Sequence, residues 1–163
     1  MTAWRHKITG WARKVGRIVI LTATMPSLAI AATTERVVQD RHTGLALGGV
    51  DPVGYFTDAK PITGLSDFEA WEAGAVWRFR NEGNLARFKA RPDIYAPQFG
   101  GHDPVDVARG VARAGNPKFW LIDGQRLYLF SREDNREAFA AQPNRVLRDA
   151  GARWPRLLTT LAQ

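Results

Sequence analysis

Gly48-Gly49-Val50-Asp51-Pro52-Val53 returns 52 residues later as Gly100-Gly101-His102-Asp103-Pro104-Val105, with five of the six positions identical. A recurrence of this kind divides the chain before any secondary structure is assigned. Further along, Phe79, Glu82, Asn84, Phe88, Ala90 and Pro92 line up with Phe130, Glu133, Asn135, Phe139, Ala141 and Pro143 at an offset of 51. Between these landmarks each half carries two apolar runs about a turn. Phe68 to Glu72 returns as Ala75 to Phe79 around Ala73-Gly74, and Phe119 to Ile122 returns as Gln125 to Phe130 around Asp123-Gly124. Small residues or Asp-Gly between apolar runs read as β-hairpins. A helix follows each hairpin and stops before proline. Leu85 and Phe88 share a face of the first, and Ser131 is expected to cap the second with Asp134 three residues on.

The fold class expected is therefore α+β, a single small domain of two similar turn–β-hairpin–helix halves paired about a pseudo-twofold axis. Two copies are too few for a solenoid. Residues 145 to 162 read as one helix or two forming a C-terminal helical brace, with a break expected at Trp154-Pro155 because proline disfavours helix at the residue before it.

Charge and composition set the context. The chain has 163 residues, 45% of them hydrophobic, a net charge of +7 and no cysteine. One core is the limit at this size. Without cysteine there are no disulfides, thiolate ligands, iron–sulfur clusters or thiol nucleophiles. Arg5, Lys7, Arg13, Lys14 and Arg17 account for five of the seven excess charges and stand in a stretch without acidic residues; the rest of the chain is nearly neutral at +2. A basic start, the apolar run from Ile18 to Ile30, and Ala29-Ile30-Ala31 before Ala32 have the order of a secretory signal peptide. Residues 1–31 are thus expected to be a Sec-type leader cleaved after Ala31, leaving a periplasmic or secreted protein without a stable membrane anchor and without nucleic acid as partner. Residues 32–43 read as a polar N-terminal arm, and 44–163 as the folded domain.

Several stretches carry a resemblance: Asp51-Pro52-Val53-Gly54-Tyr55-Phe56, Lys60-Pro61-Ile62-Thr63-Gly64, Asn84 with Phe88, Pro92 through Gly101, and Trp154-Pro155. Taken in order from Gly44 to Leu158, the chain is similar to the exported YHS-domain proteins of bacteria. The resemblance implies a small α+β binding domain. Many such proteins have a cysteine near the Gly-Gly turn, and related domains bind metals through cysteine. Here Asp103 stands at that place, so the resemblance leaves only a His/Asp metal site within reach.

The residues of that turn carry ligand chemistry of their own. His102, Asp103 and Asp106 put an imidazole and two carboxylates within five residues, a donor set suited to a divalent transition metal such as zinc, copper(II) or nickel. The same residues also suit a helix start: Asp103 as N-cap, Pro104 in the first turn, Asp106 complementing the helix dipole. Asp51, Tyr55, Tyr95, Gln98 and Trp120 form a second candidate group, lining a shallow pocket for a polar ligand. Pairing of the halves would bring Asp51 toward His102 and Asp103. Trp71, Trp77, Trp120 and Tyr128 are expected in the core, while Asn84 and Asn135 are expected to bond to hairpin backbone. Ser66 and Ser131, the only serines beyond the leader, lie in no nucleophile motif, and no phosphate loop, dinucleotide fingerprint or calcium loop is present.

Three functions follow in order of preference. The first is a non-catalytic module binding a divalent transition metal or small polar ligand at the Gly100-Gly101-His102-Asp103 turn. The second is a metal-independent protein-interaction or scaffold domain with a partner in the exported compartment. The third is a hydrolase or lyase with His102 as base.

Overall fold

The computed structural model describes residues 35–161, and the expected leader lies outside them. Along the chain run α1 (Gly54–Thr57), β1 (Leu65–Glu72), β2 (Ala75–Phe79), α2 (Glu82–Ala90), α3 (Pro92–Tyr95), α4 (Pro104–Val107), β3 (Asn116–Asp123), β4 (Arg126–Phe130), α5 (Glu133–Ala141) and α6 (Pro143–Leu158). Short 3₁₀ turns at Leu47–Gly49 and Gln98–Gly101 precede the two Asp-Pro sequences. The molecule is a single small α+β domain with two antiparallel hairpin sheets, β1–β2 and β3–β4.

The repeat read from sequence extends to irregularities that no sequence pattern marked. Each long strand is bulged, between Leu65 and Glu69 in β1 and between Asn116 and Trp120 in β3. The turn residues Leu47, Gly48 and Gly49 take positive φ, as do Phe99, Gly100 and Gly101. Gly64 donates to the Gly49 carbonyl, and Gly115 to the Gly101 carbonyl. A Cβ on either donor glycine would lie 2.5 Å from the opposing strand, at Arg78 or Leu129. The turn and the strand edge therefore touch through bare backbone in both halves.

Apolar periodicity then places the core. Phe88 of α2 packs on Trp77 and Phe79 at centroid distances of 5.1 and 5.0 Å, and Phe139 of α5 packs on Tyr128 and Phe130 at 5.0 and 5.3 Å. Strand β4 serves two clusters because successive side chains leave a strand on opposite faces. Leu127 and Leu129 join the cluster around Trp77, whereas Tyr128 and Phe130 join the one around Phe139. The Tyr55 hydroxyl also crosses between halves, donating to the Pro117 carbonyl at 3.0 Å.

Five sequence expectations change. Residues 35–43 are not a free polar arm: Val37 and Val38 are buried, and Val38 N–H donates to the Gly100 carbonyl at 2.8 Å. Gly100 has room for this crossing only because it lacks a side chain; a Cβ there would lie 1.9 Å from the Arg36 carbonyl oxygen. Helix α6 runs through Pro155 without ending. Buried Ala150, and Trp154 packed edge-on against Phe99 and tilted against His102, hold the turn that leads into Pro155. The second hairpin turn is Gly124-Gln125, one residue later than expected, with both residues at positive φ as a tight two-residue turn requires. Ser131 is not a helix cap; α5 starts at Glu133 and has no side-chain cap, whereas Asn81 caps α2 by accepting from Asn84 N–H. Trp71 stands 71% exposed on β1 instead of joining Trp77 and Tyr128 in the core.

Candidate functional site

Asp103 sits at the start of α4, where its backbone is extended and its side chain accepts from the first amides of the helix. Oδ1 receives Val105 N–H at 2.8 Å and Asp106 N–H at 3.4 Å. Oδ2 receives Ser131 N–H and the Ser131 hydroxyl, both at 2.8 Å, and Asn135 Nδ2 at 2.6 Å. The carboxylate is fully buried and ties three elements together: the turn into α4, the exit from β4, and α5. Asp106, also buried, extends the network, with Ser131 Oγ and Asn135 Nδ2 each 3.2 Å from its Oδ2 and the guanidinium groups of Arg109 and Arg113 at 3.3 Å.

Asp51 occupies the equivalent place in the first half. Its Oδ1 accepts from Val53 N–H at 2.8 Å, and its Oδ2 accepts from Arg80 N–H at 2.9 Å and Asn84 Nδ2 at 2.7 Å. It is also fully buried. The two asparagines thus donate to the aspartates, not to hairpin backbone as expected from sequence. Their recurrence at offset 51 alongside the Asp-Pro turns at offset 52 was the available signal of this pairing. Asp51 draws its hydrogen bonds from the first half and Asp103 from the second, so the two aspartates share no donor.

His102 lies just before Asp103 but turns away from it. Its ring is fully buried, with Nδ1 2.8 Å from the Phe99 carbonyl and the ring plane tilted against Trp154 at 5.5 Å. The Phe99 carbonyl can only accept, so Nδ1 carries the proton. Burial pushes the imidazole pKa below its ordinary value, while the Phe99 carbonyl and the Glu35 carboxylate pull the other way. Among the described residues, no three His, Asp or Glu side chains are gathered as a metal centre requires.

The second candidate group is partly assembled, as packing. Tyr55 is buried with its ring 5.2 Å from Trp120, and Tyr95 meets Phe56 edge-on at 5.2 Å. Burial raises the Tyr55 hydroxyl well above the ordinary phenol range. The cleft that Trp120 lines is formed with Lys118, Phe119, Leu121, Glu133 and Arg136, without Asp51, Tyr55, Tyr95 or Gln98. Gln98 is half-buried in the turn before His102.

This arrangement is suited to holding backbone in place. The Asp103 oxygens are engaged by five donors, the His102 imidazole is fully buried, and the Ser131 hydroxyl is spent on the Asp103 and Asp106 carboxylates. Among the described residues, no helix is long and apolar enough to cross a membrane. Comparison with models of protein families, with curated proteins and with solved structures finds no match.

Proposed function

We propose that this chain is an exported, non-catalytic binding domain of YHS-like type that works without a metal, its two Asp-Pro turns serving to lock the halves of the fold. What carries this reading is the duplicated, saturated carboxylate. Asp103 and Asp51 receive the same three kinds of donor, a turn amide, the amide after the hairpin and a helix asparagine, although only one of the two turns contains a histidine. A metal site would need the donors that are already spent, and release of each buried charged hydrogen bond costs about 1.5–3 kcal/mol. Binding of a divalent transition metal at His102, Asp103 and Asp106 is the competing reading.

Calorimetric titration of the protein with copper(II), zinc and nickel separates the two, with His102→Ala alongside. The metal-free reading expects no stoichiometric binding. Micromolar or tighter binding by the wild type that disappears in His102→Ala would establish the competing reading.

A further inference from the structure

Arg109, Arg153 and Arg156 line one cleft of about 510 Å³ together with Ala152 and Leu157. A second cleft of about 300 Å³ shares Arg109 and continues along α6 past Ala108 and Val146 to Arg145. Together they form a trough between α4 and α6. Among its lining residues the only carboxylate is Asp149, beside Arg145 and Arg148 at 3.9 and 3.3 Å, while Arg109 is already held 3.3 Å from Asp106. Among the described residues neither Arg153 nor Arg156 has an acidic partner, and both are exposed.

The fold holds these arginines in position. Buried Ala150 and the packing of Trp154 against Phe99 and His102 fix the rotation of α6, which sets Arg153 and Arg156 on the flank facing the trough. A Cβ on Gly110 would lie 3.6 Å from Arg153 Nη1, so the guanidinium rests over the turn that follows α4.

We propose that this trough docks an acidic, extended segment of a protein partner, whose carboxylates meet Arg153 and Arg156 while an apolar side chain lies over Leu157 and Ala152. The inference rests on the metal-free binding reading and names the partner's chemistry. Planar guanidinium forks match carboxylates bidentately. Apolar and charged side chains share the lining of two clefts that meet at Arg109, a length that a single small anion would fill at one end only. The excess charge is local, since the chain beyond the leader has a net charge of only +2. A concave site of that kind suits a peptide better than a flat lipid surface.

The test is fluorescence anisotropy of a labelled peptide alternating glutamate and leucine, measured in low salt with a chelator present. The wild type and Lys89→Gln, a change at an exposed position of α2 far from the trough in sequence, are expected to bind equally. The double variant Arg153→Gln/Arg156→Gln should bind roughly tenfold more weakly or worse, since two exposed charged contacts are lost. A peptide with glutamine for glutamate should not bind. Thermal melts of the variants should match the wild type; if the double variant melts early, Arg156→Glu alone replaces it. Absence of binding by the wild type, equal binding by the double variant, or displacement of the peptide by inorganic phosphate or phosphatidylglycerol vesicles at equal charge concentration would overturn the docking proposal. Binding that appears only after zinc or copper replaces the chelator would instead overturn the metal-free reading on which it rests.

Discussion

Asp103→Asn keeps the side-chain volume and takes away one acceptor. With the amide oxygen toward Ser131 and Asn135, the new NH₂ faces the Val105 and Asp106 amides, which Oδ1 accepted at 2.8 and 3.4 Å. With the amide reversed, it faces three donors at 2.6 to 2.8 Å. The first orientation loses less: one strong charged hydrogen bond, about 1.5–3 kcal/mol, plus weakening of the remaining bonds as the acceptor becomes neutral. A total loss of about 2–4 kcal/mol is expected, a large part of the roughly 5–15 kcal/mol that holds a domain of this size. Asp51→Asn should cost a similar amount, because Val53, Arg80 and Asn84 make the same demands on it. Urea unfolding followed by tryptophan fluorescence measures both, with slopes unchanged and midpoints lowered. A loss below about 1 kcal/mol in either variant would refute the structural role assigned to the turns.

Other consequences are open to similar measurement. Gly64→Ala and Gly115→Ala each force a Cβ to within 2.5 Å of the opposing strand and should cost more than about 2 kcal/mol, whereas Gly74→Ala, at φ +82° with open space around it, should cost about 1 kcal/mol; denaturant unfolding that reverses this order would contradict the close-approach account. His102 has a depressed pKa in the folded state, so the unfolded chain binds its proton first and stability falls as pH drops below about 6.5. Thermal melts between pH 7.5 and 5 should show that slope in the wild type and a flatter one in His102→Gln, the exposed carboxylates with lowered pKa titrating further into acid; equal slopes would contradict it. A chain starting at Gly44 loses the buried side chains of Val37 and Val38, each about 1.5–3 kcal/mol at most, and should unfold at lower denaturant than one that keeps residues 35–43.

The duplicated architecture was legible because its punctuation is chemical: Gly-Gly before Asp-Pro, apolar pairs three or four residues apart, and proline after each helix. What these residues bond to was less so. Asn84 and Asn135 could be placed on the same helical face as Phe88 and Phe139, but an amide's partner depends on what the other elements bring to it, and here each meets a carboxylate from some 32 residues upstream. Val37 and Val38 sit in a polar stretch without a clear period, so their burial depends on Gly100 leaving space for a crossing backbone. Trp71 and Trp77 come from paired strands of one hairpin, yet only Trp77 faces α2. Pro155 shows the reverse case, a local preference overridden by the packing of Ala150 and Trp154 in the turn before it. For the candidate metal ligands, spacing alone did not show that Asp103 and Asp106 face inward to amide, hydroxyl and asparagine donors while His102 turns toward Phe99.

The most direct measurement is the transition-metal content of the protein as isolated from its host, set beside that of His102→Ala. The metal-free account predicts far less than one equivalent of any transition metal per chain, the same in both proteins. One tightly held equivalent in the wild type that is missing from His102→Ala would contradict it.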